Sequence, residues 1–90
     1  MKVLVEALVE TVAFIEMADD DVIDLDAACK VLEQLVSILE EASMEEKEAI
    51  LNYCAENAQA LNDSKLVGAM EKREFYLNFG EGYGLLEEED

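Results

Sequence analysis

The sequence predicts an all-α domain, a small four-helix up-down bundle with a flexible acidic C-terminal tail. Three observations carry that expectation. Residues 1–79 contain no proline and a single glycine, so helix breakers are almost absent. Alanine, leucine, glutamate and methionine, all good helix formers, dominate the same stretch. Apolar side chains make up 52% of the 90 residues, enough for one core, although the net charge is −17.

The first helix is expected over about Lys2 to Ala18. Lys2, Glu6 and Glu10 recur four apart and read as one narrow solvent stripe. Almost everything else is apolar, including Val3, Leu4, Val5, Leu8, Val9, Val12, Phe14, Ile15 and Met17. That exceeds the apolar face of an ordinary surface helix. The helix is therefore central, or it carries a second face that meets another chain, as in a possible homodimer through this helix.

Asp19 to Asp24 interrupt the period. Asp24 suits an N-cap and Asp26 the first turn of a helix over roughly Leu25 to Ala42. Its inward face reads Ala28, Leu32, Leu35 and Leu39, with Val31 and Ile38 beside it. Ser43-Met44-Glu45-Glu46 is a capping box that opens a third helix, to about Leu61, burying Ile50, Leu51, Cys54, Ala58 and Leu61. A fourth helix, about Ser64 to Asn78, presents Leu66, Val67, Met70 and Leu77, with Gly80 as its left-handed cap. Residues 1–80 thus form the bundle and residues 81–90 the tail. Cys29 and Cys54 both fall in apolar helical runs and read as buried thiols rather than a disulfide framework.

Several functions are disfavoured by composition. The chain has no histidine, hence no Ser-His or Cys-His pair for nucleophilic catalysis. No glycine-rich phosphate loop is present. Asp19, Asp20, Asp21, Asp24 and Asp26 suggest calcium, but the register fails. Counting from Asp19 puts Asp24 where glycine belongs and Lys30 where the bidentate glutamate belongs. Asp63-Ser64-Lys65 shares one dipeptide with the Asp-Ser-Leu attachment site of acyl carrier proteins and has lysine in place of the leucine. The expectation is no enzyme, no metal and no cofactor. Lys2 is the only base near an N-terminal apolar run broken by Glu6 and Glu10, which argues against a signal peptide and for a cytoplasmic address.

A surface of this sign repels nucleic acid and anionic membranes and attracts basic proteins. The aspartate cluster, five carboxylates in eight residues, is the first candidate docking element. Tyr53 beside Glu56, and Tyr83 with Leu85, Glu87 and Glu88 in the tail, are the second. Tyrosine among carboxylates has the composition of a binding hot spot. Tyr83, between two glycines, is expected to be exposed. Phe14, Phe75 and Phe79 are expected to close the ends of the bundle, and adjacent Phe75 and Tyr76 are not expected both to face the core.

In length, charge, helical content and acid clusters beside tyrosines, the chain resembles the small acidic all-helical immunity proteins of bacteria. The two-tyrosine signature of the nuclease-colicin immunity proteins is absent, so no residue role is carried over. The resemblance implies a cytoplasmic inhibitor covering a basic toxin, such as a nuclease. A homodimeric regulatory adaptor and a nucleic-acid mimic are the other readings the residues allow.

Overall fold

Local capping chemistry sets two of the helix starts. The Asp24 carboxylate accepts a hydrogen bond from the Ala27 N–H at 3.1 Å and opens α2 (Leu25–Leu39). The Ser43 hydroxyl accepts from the Glu46 N–H at 3.1 Å, and the Glu46 carboxylate accepts from the Ser43 N–H at 2.9 Å. This reciprocal box opens α3 (Met44–Ala60). With α1 (Lys2–Met17) and α4 (Ala69–Gly82), they make an all-helical domain. The computed structural model describes residues 2–19, 21–66 and 68–85, and among these there is no strand.

α1 contributes Val5, Val9, Val12 and Ala13 to the interior, and Val9 is fully enclosed. Val5, Val9 and Val12 meet Ile50, Cys54 and Ala58 of α3 and Tyr76 and Phe79 of α4 in one core. Residues four apart advance about 400° around a helix, so a stripe of such residues drifts about 40° per step. Lys2 and Glu6 therefore face solvent, while Glu10 has turned into the interface and is half-buried. The three do not form one solvent stripe.

α2 ends at Leu39, earlier than Ala42, because the chain must reverse before the Ser43 box. Its last turn tightens into bonds from Glu41 N–H to the Ile38 carbonyl and from Ala42 N–H to the Leu39 carbonyl. Only Ala28 and Leu39 of this helix are buried. Leu32, Leu35 and Val36 are half-buried against the core, whereas Val31 and Ile38 lie open. The thiols divide likewise: Cys54 is buried and Cys29 exposed, against the expectation that both are interior.

α4 departs furthest from its sequence pattern. It starts at Ala69, after Gly68 at φ +83°, rather than at Ser64. Leu66, Met70 and Leu77, expected inside, are exposed. Val67 lies outside the described residues. Tyr76, Phe79, Gly80 and Tyr83 turn inward instead, at i, i+3, i+4 and i+7. Each aromatic ring buries about 150–250 Å², so this stripe outweighs one leucine and one methionine on the opposite face. Phe79 lies edge-on to Phe75 at 5.4 Å and tilted on Tyr83 at 4.6 Å between centroids. Phe75 also packs against the core beside buried Tyr76, so neighbours in sequence both reach it. Phe14, by contrast, is 60% exposed.

The helix therefore continues one turn past the expected cap. Gly84, at φ +69°, is the left-handed residue. The Leu85 N–H donates to the Gly80 carbonyl at 2.8 Å and the Gly84 N–H to the Glu81 carbonyl at 3.5 Å. These two bonds define a Schellman ending, which places an apolar residue after the glycine against the helix. Leu85 is that residue, 2% exposed. Residues 81–85 consequently belong to the bundle and not to a tail.

Two substitutions test this ending. Gly84→Ala meets no atom within 4 Å of the new Cβ, so its cost is conformational, about 1–2 kcal/mol by thermal or denaturant unfolding. Phe79→Ala empties the centre of the aromatic stripe and is expected to cost about 3–5 kcal/mol. A Gly84→Ala variant as stable as wild type would rule out the left-handed cap.

Candidate protein-docking cleft

Two polar arrangements grow out of this packing: one holds the bundle together and the other opens to solvent. The first centres on Glu10. Its Oε2 accepts from the Tyr53 hydroxyl at 2.8 Å and the Tyr76 hydroxyl at 2.6 Å, and its Oε1 accepts from Lys72 Nζ at 2.8 Å. One α1 carboxylate thus ties α3 to α4. Lys72 also sits 5.5 Å from the centre of the Tyr76 ring. Tyr53 and Tyr76 meet edge-on at 6.2 Å. Partial burial disfavours the Glu10 charge, but the bonds from Lys72, Tyr76 and Tyr53 outweigh it and hold the carboxyl below its ordinary range. Burial, and then the bonded Glu10 carboxylate, push both phenols well above theirs. Burial and the Glu10 charge likewise push the Cys54 thiol up to about 12, leaving it protonated and unreactive.

The second arrangement is a cleft of about 740 Å³ between the end of α1, the middle of α2 and α4. It exists because α2 packs mainly on α1 and leaves Phe75, the half-buried ring of α4, partly uncovered. Leu32 and Val36 form one wall and Phe75 the other, with the enclosed Phe79 behind it. Glu16, Asp19, Glu33, Glu71 and Glu74 also line it, with no lysine or arginine among the lining residues. Tyr83 closes its base and donates to the Glu16 carboxylate at 2.8 Å. Burial, then that bond, push the Tyr83 phenol well above its ordinary range. The cleft offers carboxylates, one of them held by Tyr83, and apolar surface, the chemistry of binding a cation that carries an apolar body.

The residues singled out in the sequence do not converge on one place. Asp19 lines the cleft, while Asp21, Asp24 and Asp26 lie exposed beyond it and Asp24 is engaged as the α2 cap. Tyr53 and Glu56 come together on a separate, smaller depression with Lys2 and Asn52. The Tyr53 hydroxyl faces Glu10 rather than a free surface. Tyr83 and Leu85, expected to be presented to a partner, are buried at 7% and 2% exposure. Tyr83 acts on the cleft by holding Glu16 instead. Asp20, Glu87 and Glu88 lie outside the described residues.

Sequence reasoning missed Glu16, Glu33, Glu71 and Glu74 on the rim, and Glu10 at the hub. The signal for two of them was available. Glu71, Glu74, Phe75 and Asn78 recur at i, i+3, i+4 and i+7 and so share one face of α4.

Among the described residues, the Lys72–Glu10 pair is the only salt bridge. Arg73 is spent on a 2.6 Å bond from Nε to the Asn62 side chain. No group of three potential metal ligands is assembled among the described residues, and no helix there is long and apolar enough to cross a membrane. No protein family, curated protein or solved structure matches the chain.

Glu10 supplies a pH test. Its folded pKa lies below the ordinary 4.5, so its stabilisation is complete above that value and is lost as pH falls through the lowered one. Glu10→Gln should lower stability near neutrality by about 1 kcal/mol, allowing for the partial exposure of the site. Comparing the two proteins cancels the general relief of charge repulsion in acid. The gap should stay constant above the ordinary value of 4.5 and close as pH falls below it, through the lowered one. A gap unchanged at the acid end would show that ionised Glu10 contributes nothing.

Proposed function

We propose that this chain is a non-enzymatic, protein-binding inhibitor that captures a basic partner. In keeping with the resemblance noted from sequence, it would act as an immunity protein neutralising a basic bacterial toxin, such as a nuclease, in the cytoplasm. The observation that carries this reading is the cleft, in which five carboxylates surround an apolar floor and no cation lines the walls. An acidic rim steers a basic partner at long range, and a desolvated apolar floor supplies affinity at short range. The count of 23 acids against six bases extends the same field over the whole molecule.

A second reading, a homodimer formed through α1, is favoured by one observation. Val3 and Leu4 are 78% and 72% exposed, and Phe14 lies open on the same helix. The two readings are compatible in one molecule.

Association with the product of the neighbouring gene, and with basic nuclease domains as probes, is the direct test, measured by stopped flow at rising ionic strength. The association rate should fall at least about tenfold between roughly 0.05 and 0.5 M salt while dissociation changes little. Glu71→Gln with Glu74→Gln should slow association in low salt. Binding indifferent to salt would refute the electrostatic reading. For the homodimer, light scattering of wild type and Phe14→Glu in high salt decides: a dimer lost in the variant supports it, and a monomeric wild type removes it.

A further inference from the structure

We propose that the cleft between α2 and α4 receives an amphipathic α-helix of the partner, with an apolar stripe flanked on both sides by lysine or arginine. This rests on the basic-partner reading and names the element recognised. The walls supply the geometric argument. Leu32 and Val36 are an i, i+4 pair on α2, and Phe75 and Phe79 are an i, i+4 pair on α4. Leu32 and Val36 on α2 and Phe75 on α4 are only half-buried, so the cleft keeps apolar surface on both of these helices that an incoming helix can cover, with the enclosed Phe79 behind Phe75. Helix-in-groove recognition is read as apolar anchors at i, i+3 or i+4, and i+7.

Charge placement gives the flanking requirement. Glu33 stands on the α2 side, and Glu71 and Glu74 stand on the α4 side. Glu16 and Asp19 close the α1 end, the former held in place by the Tyr83 hydroxyl. An apolar floor bordered by carboxylates on both sides is complementary to an apolar stripe bordered by cations. An extended segment is a poorer occupant. Strand addition needs unpaired backbone donors and acceptors along a sheet edge, and these walls are helices.

A second copy of this chain is a poorer occupant too. The whole sequence holds six bases, Lys2, Lys30, Lys47, Lys65, Lys72 and Arg73, scattered over its length. None of its helices carries bases along both borders of an apolar stripe. The partial packing of α2 agrees with a missing neighbour. Leu32 and Val36, which a fully packed helix would bury, are only half covered. A docked helix would complete their burial and that of Phe75.

The test uses the full chain and a synthetic peptide of about 18 residues, roughly five helical turns. The peptide carries leucine at i, i+3, i+4 and i+7 with lysine along both borders. A control of identical composition permutes the same residues so that no stripe forms. Fluorescence anisotropy at about 0.05 M salt should give at least about tenfold tighter binding for the striped peptide. Glu33→Gln with Glu74→Gln should weaken it several-fold. Both side chains are exposed, so the fold is not put at risk. Methyl resonances of Leu32 and Val36 should shift on binding, and those of Val3 and Leu4 should not.

Equal affinity for the two peptides would overturn the helix groove while leaving attraction to basic proteins intact. Shifts confined to residues outside the cleft would overturn it as well. Failure of both peptides to bind at low salt would overturn the groove and the basic-partner reading together.

Discussion

One carboxylate sits where three helices meet. Glu10 leaves α1 and collects hydrogen bonds from α3, through Tyr53, and from α4, through Tyr76 and Lys72. A bare apolar core would allow these helices to slide and rotate, because hydrophobic contact is non-directional. Three donors converging on two oxygens fix the relative rotation of all three. The arrangement also explains a charge pattern that looks wasteful. With 23 acids and six bases, few cations are available for pairing, and the bundle places one of them at its only described ion pair.

The rest of the architecture depends on that choice of rotation. Once Tyr76 points at Glu10, Phe79 and Tyr83 follow on the same face of α4, and Phe79 becomes one of the two large side chains fully enclosed. Met70 and Leu77 are then carried outward. Tyr83 reaches Glu16, about 1.7 turns along α1 from Glu10, so a second tyrosine–glutamate pair joins α1 to α4 farther along. The cleft lies beside that second pair. Its base, and the placement of one of its carboxylates, Glu16, thus come from the same aromatic stripe that stabilises the bundle.

α2 plays a different part. Its caps and apolar period are strong, yet only Ala28 and Leu39 are buried. Such a helix is held less firmly than its sequence pattern allows, and regions with few buried apolar contacts open at lower free energy than the core. That condition suits the wall of a recognition groove. A partner helix could add the contacts α2 lacks without displacing any that α3 and α4 already make.

What lies in local sequence was legible: the four helices, the Asp24 cap, the Ser43–Glu46 box and the α3 inward face of Ile50, Cys54 and Ala58. Each depends on neighbours within one or two turns, so the chain's own order determines it. The orientation of α4, the extension to Gly84 and the inward turn of Tyr83 and Leu85 were not legible. Two faces of that helix compete for burial, and only the partners waiting on α1 and α3 settle which wins. The cleft is likewise a tertiary product. Glu16, Glu33 and Glu74 are ordinary surface acids in one dimension, and they become a rim only because α2 stands away from α4. Sequence by itself determined a strongly acidic helical domain; packing decided where its carboxylates gather, because convergence across helices leaves no trace in residue spacing.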